Sequence, residues 1–228
     1  MADSNTLSPF NPLPASVWLL LLAVAGVELA FLAGSAGLIG GPGAVGWRLD
    51  AVQRAAFSGT LMDWMVENRR FPPEHLLRLV AYPLVHVSAT HTLFVLVFIA
   101  ALGKFVGEGM RGWAVPVVFF GASVAGALVW GAVLSGPSWL TGGYPGVFGL
   151  VGAFTYLLWI ELGEKGANRA RAFILIGVLL LARLLVGLYV GLGSTWLADL
   201  AGFLTGFALS FLVAPGGWRR ALERIRQR

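Results

Sequence analysis

The sequence predicts an all-α, polytopic membrane protein: six transmembrane helices, with a membrane-interface helical insertion between the first and the second. Three observations carry that expectation. The 228 residues are 57% hydrophobic and 12% charged, about half the charge of an ordinary soluble domain. Mean hydropathy is +0.80, and the apolar residues gather in runs long enough to cross about 30 Å of hydrocarbon as helices. Arginine and lysine crowd some connections and are missing from others, the asymmetry that orients membrane helices.

The same composition excludes other classes. There are no cysteines, so disulfides and thiolate chemistry drop out. The formal net charge is +5, but the basic residues sit at segment ends and in the C-terminal tail, where topology accounts for them. No nucleic-acid partner, cofactor or metal is expected. The first fifteen residues lack a basic region ahead of the first apolar run, and that run is long enough to span, so no secretory signal peptide is expected. No internal repeat and no low-complexity linker is visible.

Residues 1–15 form a polar lead carrying Pro9, Pro12 and Pro14, expected to be disordered. The first span reads from Val17 to about Ile39, with Glu28 near its middle. A carboxylate at that depth is costly and reads as a contact inside the bundle rather than as transport chemistry. Residues 40–82 are too polar to span and too apolar for a plain loop. Leu61, Trp64 and Met65 have helical spacing, and Pro72-Pro73-Glu74 opens another short helix with Leu76, Leu79 and Val80 on its apolar side. Short helices edged with Trp and Arg suit the membrane interface.

The second span reads from His86 to about Val106, the third from Trp113 to Leu134, and the fourth from Gly146 to Leu162. The fifth, Ala172 to about Leu192, is interrupted by Arg183, and the sixth, Trp196 to Ala214, carries Asp199 one turn inside. Arg183 is expected to pair with Asp199 or Glu28 within the bundle. Residues 215–228 make a basic tail whose Trp218, Leu222 and Ile225 share one face, suited to lying on the lipid surface. The loops after the second and fourth spans are basic as well, which places them, the tail and, with six spans, the N-terminus in the cytoplasm. The expected organisation is therefore a lead (1–15), a six-helix membrane domain (16–214, with 40–82 as the insertion) and a cytoplasmic tail (215–228).

The stretch Thr141 to Phe154 organises the rest. Gly146, Gly149 and Gly152 recur every third residue, leaving one helix face without side chains, which lets a neighbouring helix come backbone to backbone. Gly202 and Gly206 lie one turn apart in the sixth span and are expected to face Gly149 and Gly152. Gly142-Gly143 permits a sharp entry. Such a turn mounts a reactive side chain well, yet the residue mounted here is Pro145, which has neither a hydroxyl nor a backbone N–H.

This order of parts resembles the rhomboid family of six-helix intramembrane serine proteases, over roughly residues 17–214. The family places an Arg eight residues before the first of two histidines, as Arg78 precedes His86 here, although Leu77 stands where Trp is usual. Its second span opens with His, His and Asn at set intervals; this chain has His86, His91 and Val95. Its Gly-x-Ser-Gly reads Gly143-Tyr144-Pro145-Gly146, and its Ala-His followed by Gly-x-x-x-Gly reads Ala198-Asp199 followed by Gly202 to Gly206.

The resemblance implies a rhomboid-like fold in which Pro145 occupies the nucleophile position and Asp199 that of the base. His91, Val95 and Gly146 fall in the oxyanion region. Acylation needs a hydroxyl activated by a base, so the resemblance implies a non-catalytic pseudoprotease. Its partners would be membrane lipids and the transmembrane helices of other membrane proteins. Its location would be the plasma (inner) membrane of a prokaryotic cell. The alternative is an active serine endopeptidase using other residues, with Ser138, Thr141, Ser194 and Thr195 in the outward loops. An aspartyl protease needs two carboxylates in one site, and Glu28 and Asp199 read at different depths.

Overall fold

The structure, a computed structural model, describes residues 12–134, 136, 138–190 and 195–215. In chain order these form α1 (Ala15–Ser35), a 3-10 turn (Pro42–Gly46), α2 (Trp47–Ala55), β1 (Phe57–Ser58), α3 (Gly59–Glu67) and α4 (Pro73–Ala81). A second 3-10 turn (Tyr82–Leu84) leads to α5 (Ala89–Gly109), α6 (Ala114–Val133), β2 (Trp139–Leu140) and α7 (Tyr144–Glu164). A third 3-10 turn (Arg169–Phe173), α8 (Ile174–Val190) and α9 (Trp196–Val213) complete the described chain. Among the described residues α1, α5, α6, α7 and α9 are long and apolar enough to cross a membrane. Helix α8, with 17 residues, lies where the fifth span was expected. The protein is an all-α, multi-pass membrane bundle.

The helix ends explain where the observed spans depart from the expected ones. Helix α1 stops at Ser35, not near Ile39, because Gly37 takes φ +72°. Leu38 N–H then donates to the Ala33 carbonyl and Gly37 N–H to that of Gly34, the two bonds that close a helix at a left-handed residue. Glu28 is thereby about 10 Å from the C-terminal end of α1, at 1.5 Å per residue, rather than at mid-span. Helix α5 starts at Ala89, not His86, because Ser88 is its N-cap and accepts from His91 N–H at 3.2 Å. A serine oxygen there satisfies a donor that the helix cannot. Helix α7 starts at Tyr144, ahead of the expected Gly146, with Pro145 in its first turn, where a missing N–H costs nothing.

Helix α7 is the centre. Every residue from Pro145 to Ala153 is buried, as a helix enclosed on all sides requires. Its glycines set the closeness. A Cβ on Gly206 would fall on the backbone of Gly149, and one on Gly152 would meet the Phe203 carbonyl and, at 2.6 Å, the Phe207 nitrogen. On the α6 side, a Cβ on Gly146 would meet Phe119 at 2.6 Å and Ser123 Oγ at 2.7 Å. Close backbone approach of this kind supplies the van der Waals contact that holds helices together where lipid is as apolar as the side chains.

The insertion is stitched to the bundle by polar contacts. Arg78 donates to the carbonyls of Gln53 (3.1 Å) and Ala56 (2.8 Å), closing the end of α2. Strand β1 pairs antiparallel with β2, Phe57 opposite Leu140 and Ser58 opposite Trp139, so the insertion is tied to the chain just before α7. Arg48 of α2 grips Glu28 with both guanidinium nitrogens (2.9 and 2.5 Å), while Thr92 donates to the same carboxylate at 2.7 Å. Among the described residues the cation that pairs with Glu28 is Arg48 of the insertion: the insertion dips to the depth that α1, ending early, gives to Glu28. The side chain of Arg183 lies outside the described residues, as does the tail beyond residue 215.

Candidate functional site

The turn into α7 is built around two glycines and two histidines. Gly142 has φ +84°, and a Cβ there would lie 2.6 Å from His91 Cε1, so only glycine fits. Its N–H donates to the Tyr82 carbonyl at 3.0 Å. Gly143 N–H donates to His86 Nε2 at 3.2 Å, which requires an unprotonated nitrogen there. Burial pushes the His86 pKa down to about 4, with the neighbouring His91 adding to the shift. The two imidazoles meet edge to face at 5.0 Å, and His91 stacks on the Tyr144 ring at 4.7 Å. Val95, on the next turn of α5, is fully buried, and its Cγ1 lies 3.0 Å from where a Gly143 Cβ would stand.

Pro145 caps the head of α7 beneath this cover. A Cβ on Gly126 of α6 would touch Pro145 Cβ at 3.0 Å and the Ala198 carbonyl at 2.7 Å, and one on Gly202 of α9 would run into the Pro145 carbonyl. Asp199 is fully buried. It lies three residues before Gly202, hence on nearly the same helix face and one turn nearer the N-terminal end of α9. The structure thus gathers Pro145, Gly126, Ala198 and Gly202 at the junction of α6, α7 and α9, with Asp199 buried on α9 next to Ala198. Gly149, Gly152 and Gly206 continue the contact inward. Arg78 and Glu28 stand apart, as anchors of the insertion.

Two residues of this junction were not singled out from the sequence. Tyr82 is fully buried, and its hydroxyl donates to the Ser123 carbonyl at 2.7 Å. Burial raises the Tyr82 pKa far above the usual phenol range, and the charge of Asp199 adds to it, so Tyr82 is a neutral donor. The one available signal was Ser123, a hydroxyl in an apolar helix between Gly121 and Gly126.

Chemically, the arrangement holds a tight turn, a neutral imidazole at His86 and a buried Asp199, with proline at position 145 in the first turn of the central helix. Among the described residues no group of three or more His, Cys, Asp or Glu side chains could hold a metal ion. A multi-pass bundle whose central helix begins at a glycine turn beneath two histidines has the architecture of an intramembrane protease. The Rhomboid domain family model matches residues 73–216, more than half of the chain, and the protein belongs to the rhomboid family. No curated protein matches the chain.

Proposed function

We propose that this rhomboid is non-catalytic and uses the family's bundle to bind transmembrane segments of other membrane proteins. The observation that carries the reading is Pro145, buried in the first turn of α7. The family's Gly-x-Ser-Gly aligns its nucleophile with this position, and proline can neither attack nor donate to an oxyanion. Asp199 aligns with the family's base, and Val95, an alkyl side chain, aligns with an oxyanion donor. His86 already spends its Nε2 on Gly143. Val95 and Asp199 are fully buried, while His91 is half-buried, so of the aligned positions His91 is the one that keeps a polar group within reach of the surface.

Labelling of the purified protein with a fluorophosphonate tests the reading. No adduct is expected, and a covalent adduct on any serine or threonine would overturn it. The proposed setting is the plasma membrane of a prokaryotic cell, with both termini cytoplasmic, supported by the basic loops after α5 and α7 and the basic tail. Alkaline phosphatase fused to the C-terminus should be inactive; high activity there refutes the orientation.

A further inference from the structure

At the end of the bundle opposite the Pro145 turn, α5, α7 and the end of α9 enclose an open groove of about 550 Å³. Phe105, Phe154, Leu157, Leu158 and Ile160 give it an apolar lining, and Glu161 and Glu164 give it an acidic rim. Lys165 pairs with Glu161 at 2.5 Å, and Glu164 stands exposed at the end of α7. Ala214 and Pro215, where the described chain ends, are themselves part of the wall.

We propose that this groove is the docking site of the protein's own C-terminal segment, residues 216–228. Position argues for it, because the segment leaves from the wall of the groove through Gly216-Gly217, a pair able to turn the chain back. Length argues for it, since thirteen residues make a helix of about 20 Å, enough to run from α9 across α7 toward α5. Pattern argues for it: Trp218, Leu222 and Ile225 share one helical face, as a helix lying in an apolar groove requires. Charge decides between this occupant and a lipid. The segment carries Arg219, Arg220, Arg224, Arg226 and Arg228 against Glu223 alone. The loop after α7 is basic, but the charged residues that line the groove itself are Glu164 and Glu161, the latter shared with Lys165, so at the groove the arginines meet opposite charge and an anionic headgroup meets like charge. The inference concerns the far end of the bundle and does not depend on whether the Pro145 site is catalytic.

The chain has no cysteine, so introduced pairs report without background. In the full-length protein, Leu158→Cys with Leu222→Cys is compared with Ile174→Cys with Leu222→Cys, which probes another face at the same end of the bundle. Mild oxidation should close the first pair within one chain about tenfold faster, as a docked segment has the higher effective concentration. Adding Glu161→Gln and Glu164→Gln should slow it several-fold. The crosslink should persist in vesicles containing phosphatidylglycerol. Equal rates for the two pairs, crosslinks only between chains, or loss of the crosslink in anionic vesicles would each overturn the proposal. Leu157→Cys with Ile225→Cys is the substitute pair if the first does not purify as a single species.

Discussion

Arg48→Ala should be among the most destabilising substitutions outside the α7–α9 contact. The side chain of Arg48 is 24% exposed and that of Glu28 9% exposed, and they share two hydrogen bonds. Arg48 also donates to the His86 carbonyl at 3.0 Å and lies 5.1 Å from the centre of the Phe31 ring. Among the described residues, alanine leaves the Glu28 carboxylate with the Thr92 hydroxyl and no paired cation. Removing one partner of a buried pair costs about 3–5 kcal/mol. Water reaches the Arg48 side of this one, so about 3 kcal/mol is expected. For a chain of this size that is a Tm loss of about 6–12 °C, read by tryptophan fluorescence during heating in detergent. Arg48→Met combined with Glu28→Gln should recover more than half of the loss, because no charge is then stranded. If Arg48→Ala lowers Tm no more than the exposed control Arg54→Ala, or if the double variant is no better than the single, the pair is not the anchor described here.

Gly206→Leu should abolish monodisperse protein, and Gly206→Ala should lower Tm, since any Cβ there meets the Gly149 backbone; Gly26→Leu, with nothing within 4 Å, should leave it unchanged. Equal behaviour of Gly206→Leu and Gly26→Leu would refute the contact. His86 is held neutral, with its pKa lowered to about 4 from an unfolded value near 6.5. Its contribution is therefore complete above about pH 6.5, drains away as pH falls toward 4, and totals at most about 3 kcal/mol. His86→Gln, which keeps an acceptor for Gly143, should remove that part of the Tm loss between pH 7 and pH 5; an unchanged loss refutes it. Pro145→Ser alone should restore no protease, because a serine without its base stays a weak nucleophile; cleavage by this variant would mean that another residue serves as base.

Much of the fold was legible because the bilayer imposes one rule. Backbone polar groups must be satisfied within the span, so long apolar runs are helices. Span ends were less legible. The cap at Ser88 and the left-handed turn at Gly37 are decided by single residues that hydropathy averages away. The glycine spacing of α7 and α9 foretold a close approach, since an absent side chain has little other use on a buried face. The pairing of β1 with β2 had no signal: two residues on each side are too few to show alternation. The partner of Glu28 was also hidden. Sequence gives depth along a helix, but it does not reveal that Arg48, in a segment too polar to span, reaches down to that depth. At the candidate site, the assignment of Pro145 and Asp199 rests on motif resemblance, while the Tyr82 hydrogen bond to the Ser123 carbonyl depends on a packing of α6 against the second 3-10 turn that no spacing encodes.

The central claim, that this rhomboid does not cleave, is tested most directly in proteoliposomes. The wild-type protein is reconstituted with a single-span substrate that an active rhomboid cuts, and the fragments are quantified by mass spectrometry. No fragment above the level of empty vesicles is predicted for the wild type. A fragment cut within the span, formed in proportion to the amount of wild-type protein and absent from vesicles without it, contradicts the account.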